Sequence, residues 1–240
     1  RLLPPRFLSW FSFLFLRLPP LSTLARSSAA SDVYKSPDLP WARALYGTLE
    51  KNGQTPVQRP LAALNTAFAT DGVLIHVTGT PSKPINLVYT HKSETSDAML
   101  HHVVKLDQGA EVTLLENGPA AARFNTVMEV EVADTARFHH VRAQGRDHER
   151  RAATHVFTRL RTESLFKSFT VTVNGALTRN ECVIELTGDD ASAHVAGACV
   201  GDGDFHHDDT VFITHDAVNC ERRPAFQQSH IQLFSPRTRA

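Results

Sequence analysis

The chain has 240 residues, 42% hydrophobic and 21% charged, enough for one sizeable core of ordinary soluble composition. Lys plus Arg and Asp plus Glu both number 25, so there is no net basic field to hold a phosphate backbone, and nucleic acid is a poor default partner. The cysteines, Cys182, Cys199 and Cys220, are odd in number, far apart and form no Cys-x-x-Cys pair, which argues against a disulfide framework and for a reducing, cytoplasmic setting.

Residues 1–30 read unlike the rest. The apolar run from Phe7 to Leu16, flanked by Arg6 and Arg17 and followed by small residues, has the outline of a signal peptide. It is too short to cross a bilayer as a helix, which takes roughly 20 apolar residues. An atypical, poorly ordered tail, or sequence from outside the true reading frame, is the preferred reading over export. Residues 31–71 form a short helical region. Ser36 or Asp38 is placed to cap one amphipathic helix carrying Pro40, Trp41, Ala44, Leu45 and Leu49 and ending at Gly53. A second helix follows from Arg59–Pro60 and closes before Asp71–Gly72.

From Gly72 the period changes from helical to two. Segments such as GVLIHVT, LHHVVKL, FNTVMEVEV, THVFTRL, SFTVTVN and ASAHVAGACV recur about every dozen residues, many separated by Gly, Asp or Asn, which marks an all-β domain over residues 72–220. Alternation expects Phe169, Val171 and Val173, and likewise Val195 and Cys199, to point inward. A sandwich, a barrel and a parallel β-helix all satisfy that pattern; the scarcity of tight Asn-Gly hairpins favours stacked coils.

The densest group of potential ligands runs from Ala191 to Cys220. His206, His207, Asp208 and Asp209 form an HHDD run, with His215 and Cys220 beyond it. Imidazole and carboxylate are usual ligands for zinc, iron or manganese. Neighbours in an extended strand face opposite ways, so His206 and His207 cannot both reach one metal without a bend. The same rule splits His101–His102 and His139–His140. His215 shares parity with Val211 and Ile213 and is expected on the core face. Gly201-Asp202-Gly203-Asp204 reads as a turn and lacks the later glutamate of a calcium loop. No phosphate loop, dinucleotide fingerprint, nucleophile elbow or HExxH helix occurs.

Two long stretches carry a family likeness: INLVYTHKSETSDAMLHHVVKLDQGAEVTLLE, and SFTVTVNGALTRNECVIELTGDDASAHVAGACVGDGDFHHDDTVFITHDAVNC. Over residues 59–220 the chain resembles the SufB/SufD family of iron–sulfur cluster assembly scaffolds, most closely the SufD branch. The resemblance implies a mainly β fold, a right-handed parallel β-helix between helical ends, and a subunit that is not itself an enzyme. It implies partnership with a SufB-like scaffold and, through a C-terminal helical domain, a SufC-like ATPase. The iron–sulfur cluster is assembled on the parent complex, and no cofactor is assigned to this chain. After Cys220 the text ERRPAFQQSHIQLFSPRTRA departs from the family, so residues 221–240 read as a divergent tail of a truncated chain that lacks the SufC-binding region. His206, His207, His215 and Cys220 remain weak metal candidates, and a metal-dependent β-fold enzyme built on the histidines near His206 is the alternative.

Overall fold

The computed structural model describes residues 11–14, 39–89, 95–117, 122–145 and 148–230. Ser36 and Asp38, and residues 1–30 apart from the short strand β1 (Phe11–Leu14), lie outside them. The helical region holds α1 (Pro40–Leu45), α2 (Thr48–Asn52) and α3 (Pro60–Phe68). The single helix expected before Gly53 is two, because Gly47 at φ +69° takes the left-handed conformation that stops α1 and starts α2. Ala42, Leu45 and Leu49 are buried, while Ala44 faces water.

Beyond Gly72 every segment read as a strand is one. The order is β2 (Leu74–Val77), β3 (Ile85–Val88), β4 (Asp97–Leu106), β5 (Glu111–Asn117), β6 (Arg123–Val132), β7 (Arg137–Gln144), β8 (Arg151–Leu160), β9 (Leu165–Val173), β10 (Leu177–Leu186), β11 (Ser192–Gly201), β12 (His207–His215) and β13 (Glu221–His230). The even strands form one sheet, β2-β4-β6-β8-β10-β12, with β1 antiparallel on its β2 edge; the odd strands β3 to β13 form the other. All remaining pairings are parallel, so each coil gives one strand to each sheet and the chain winds a two-sheet β-solenoid. Register partners lie 26 to 29 residues apart, which stacks equivalent residues into columns.

Those columns divide the lumen. At one end Leu106, Val132, Leu160 and Leu186 stack in the first sheet, opposite Val112, Phe138, Phe166 and Ala193 in the second. The rings of Phe138 and Phe166 lie 5.9 Å apart. Fully burying a side chain of this size stabilises by roughly 1.5–3 kcal/mol. At the other end the columns are polar: Thr126, Thr154, Asn180 and Asp209 in one sheet, Glu116, Arg142 and Thr170 in the other.

That polar half reverses one expectation. In β11 Val195 and Cys199 are buried as expected, but in β9 the inward residues are Phe166, Ser168 and Thr172, and Phe169 is 42% exposed with Val171 and Val173 beside it on the outer face. The register places Phe166 on Phe138, Ser168 on His140 and Thr172 on Gln144, where their hydroxyls find partners. Polar satisfaction inside the lumen overrides the rule that the apolar set faces in.

The stack also passes Cys220. Glu221–His230 is β13, parallel to β11, with Pro224 opposite Val195. The Glu221 N–H donates to the Ala191 carbonyl at 3.0 Å, so by alternation Pro224 turns its missing N–H toward the open edge, where proline is tolerated.

The helices pack on the middle of the outer face of the first sheet. Val103, Val127, Phe157 and Val183 pack against Ala42, Leu45, Leu49 and Ala62. Glu129 anchors this layer, accepting hydrogen bonds from the backbone N–H of Gly47 (2.5 Å) and Glu50 (2.9 Å) and from His101 Nε2 (2.9 Å).

Candidate functional site: the polar half of the lumen

Two hydrogen-bond networks cross the lumen. The first centres on Glu116 in β5. Its carboxylate accepts from Arg142 Nε at 2.7 Å, from His140 Nε2 at 2.6 Å and from the Tyr89 hydroxyl. His102 Nε2 donates to the Tyr89 oxygen at 3.0 Å, and its Nδ1 accepts from the Val73 N–H at 3.1 Å. Ser168 Oγ donates to His140 Nδ1 at 3.0 Å. Every side-chain donor in this network points, directly or through one neighbour, at the carboxylate.

The electrostatics follow from that geometry. Burial alone would raise the Glu116 carboxyl, yet Arg142 and the hydrogen bond from His140 overcome it and hold the group well below the usual range. Burial lowers His140, and lowers His102 to about 4, so both rings are neutral. Burial, with the charge of Glu116 added, raises the Tyr89 hydroxyl well above its ordinary value. The site is one ion pair wrapped in neutral donors.

The second network starts at Thr172, which donates to Gln144 Oε1 at 2.8 Å. Gln144 Nε2 donates to Asn180 Oδ1 at 3.0 Å, Thr154 donates to the same oxygen at 2.7 Å, and Asn180 Nδ2 reaches Asp209 Oδ1 at 2.9 Å. Asp209 Oδ2 lies 2.7 Å from His207 Nε2. Between the networks is a cavity of about 30 Å³, with Arg142, Ser168, Asn180, Cys182 and Asp209 on its wall. Burial pushes the Cys182 thiol up to about 12, and burial together with the Asp209 charge raises that of Cys199, so neither is a thiolate at neutral pH.

Ser168, His140 and Glu116 stand in the order nucleophile, base, acid. The cavity beside Ser168 measures about 30 Å³, far below the roughly 300 Å³ at which small-molecule sites begin. Here the arrangement satisfies buried polar groups across three strands.

The structure does not bring the four sequence candidates together. His207 lies in the lumen with Asp209, with its ring 5% exposed. His206 is on the opposite face in water, and Asp208 there pairs with Arg179 at 2.9 Å. His215 is exposed rather than in the core: it keeps the inward parity, opposite Leu186, but among the described strands β12 has β10 as its one neighbour, and nothing described covers the ring. Cys220 Sγ sits 3.5 Å from the Gly188 carbonyl oxygen in a turn. No group of three or more His, Cys, Asp and Glu is placed to hold a metal ion among the described residues.

Sequence reading missed Glu116, His140 and Arg142 as a unit. The signal was present: Glu116 shares parity with Val112 and Leu114, and Arg142 with Phe138 and His140, so each strand carries ionisable groups on its apolar face. The His101–His102 and His139–His140 pairs split between faces as expected: His102 and His140 point into the lumen, His101 lies under the helices, and His139 lies outside, 3.6 Å from Glu111.

Residues 88–228, which run from the end of β3 nearly to the end of β13, match the family model described as SUF system FeS cluster assembly, SufBD core domain. The chain belongs to the SufBD family. Its role lies in SUF iron–sulfur cluster assembly, and the family region coincides with the solenoid that builds both polar networks. No curated protein sequence matches this SufBD chain. None of its described helices is long and apolar enough to cross a membrane.

Proposed function

We propose that this SufBD chain is a SufD-type scaffold subunit, cytoplasmic and without catalytic activity of its own, that works beside a SufB-like subunit and a SufC-like ATPase. The observation that carries the reading is the lumen. Its carboxylates are both paired, Glu116 with Arg142 and His140, and Asp209 with His207 and Asn180, and the cavity left between them measures about 30 Å³. Such an interior supports a rigid body that presents surfaces. The SufD branch is supported by the wording of residues 168–220. The iron–sulfur cluster is cargo of the assembled complex, with no residue of this chain assigned to it.

Co-expression with a SufB-like and a SufC-like partner tests this. The expected result is co-purification with the SufB-like subunit, and cluster reconstitution that needs the complex. Cluster assembly or ATP turnover by the purified chain alone, abolished by a point change within it, would overturn the non-enzymatic reading. Failure to co-purify with the SufB-like subunit would overturn the SufD assignment.

A further inference from the structure

Among the described residues, the helix layer leaves the upstream part of the first sheet uncovered. There a groove of about 640 Å³ runs along α3 and across β4, β6, β8, β10 and β12. One wall is α3 itself. Leu61 and Leu64 are 41% and 44% exposed, and Phe68 continues the same stripe at 59%. Spacings of three and four residues put these side chains on one helical face, while Ala62 and Asn65 are buried against the sheet. A helix with apolar side chains on both faces is shaped for two neighbours, and the described residues supply one.

The charge at the groove is as particular as its shape. Arg123 and Arg151 are register partners on adjacent strands. Arg123 is held by Asp97 at 2.5 and 2.6 Å, and Arg179 by Asp208 at 2.9 Å. Arg151 has no acidic partner among the described residues; it is exposed beside Arg123, whose charge Asp97 already meets, so it is the groove's one guanidinium left to pair with an incoming anion.

We propose that this groove receives an amphipathic helix of a partner protein, with an apolar stripe packed on Leu61, Leu64 and Leu177 and a glutamate or aspartate paired with Arg151. The dimensions agree. Five strands about 4.8 Å apart span about 19 Å, the length of roughly 13 helical residues. A concave floor with a helical wall suits a helix laid in a groove, which reads as an i, i+3, i+7 pattern on the ligand. The proposal stands on the outer face and is independent of the SufD reading, which rests on the lumen and on the likeness carried by residues 168–220.

The test uses the full chain and two synthetic helical peptides of about 14 residues, each with leucines at i, i+3 and i+7, one with glutamates on its flanks and the other with lysines. Fluorescence anisotropy is expected to show saturable binding of the acidic peptide and binding at least about tenfold weaker for its lysine twin. Arg151→Glu should reverse that preference, and Leu64→Asp should weaken both peptides with no change in the unfolding midpoint, since Leu64 is solvent-facing. Equal binding of the two peptides, or acidic-peptide binding indifferent to both substitutions, overturns the proposal. A photo-crosslinker at Leu64 in the purified chain decides between occupants. Adducts to the chain's own residues, or between two copies, overturn a partner helix, and a site that stays uncrosslinked until the acidic peptide is added supports it.

Discussion

The two halves of the lumen share one backbone, one register and one pattern of alternation, yet they are held together differently. In the apolar half, Leu160 and Leu186 or Phe138 and Phe166 stack with no polar demand, and each contact is worth what its own area contributes. In the polar half, Glu116 and Arg142 sit in the same kind of column, and neither is tolerable without the other. A parallel solenoid therefore fixes where side chains stack without dictating their chemistry. Stability in the first half is a sum, and in the second a mutual dependence.

The sharpest way to break that contrast is Glu116→Leu, which leaves Arg142 buried and uncompensated. Loss of about 3–5 kcal/mol of unfolding free energy is expected by chemical denaturation, and a value below 1 kcal/mol would show that the pair is dispensable. Leu186→Ala in the apolar half should cost about 3 kcal/mol through its cavity. Combining it with Leu160→Ala, its register partner, measures how far apolar neighbours couple.

Acid should separate the halves next. Burial lowers His102 to about 4 and lowers His140, so the folded state refuses protons that the unfolded chain accepts near pH 6.5. A depressed histidine contributes stability that is full above the unfolded value and is lost as pH falls toward the folded one. Between pH 6.5 and 5 that loss is about 2 kcal/mol for His102. Glu116, held low by Arg142, adds its own loss only below the ordinary carboxylate range. Denaturation at the two pH values checks this, and a His102→Gln chain should show the shallower dependence. The smallest effect is expected from Val171→Asp, half-buried on the outer face of β9, about 1 kcal/mol from lost strand propensity.

Val171 also shows what could be read from residues alone. In β11 the inward set Ala193, Val195 and Cys199 is the apolar set, and period two found it. In β9 the same reasoning chose Phe169, Val171 and Val173, because Ser168 and Thr172 look like solvent-facing residues until His140 and Gln144 are known to lie beside them, 28 residues back in the chain. Local alternation carries strand positions, and the face of a strand is decided by its stacked neighbours. His207 was visible as an isolated oddity in HHDD; its partners Asp209 and Asn180 became one network only when β10 met β12 in register. The helix break at Gly47 was likewise hidden, since the Glu129 carboxylate that receives the backbone N–H groups of Gly47 and Glu50 is 82 residues from the first of them.

The pairing of Glu116 in one coil with His140 and Arg142 in the next also bears on how the molecule comes apart. Repeat stacks joined by apolar contacts can fray one unit at a time, because stability there is carried by each repeat and its neighbouring interfaces. Here, peeling β7 from β5 would strand a carboxylate in a dry interior, so the coils on either side of that seam should open together. Native-state hydrogen exchange should then report a single cooperative block spanning β4 to β9, with amides on both sides of the seam exchanging at a common opening free energy.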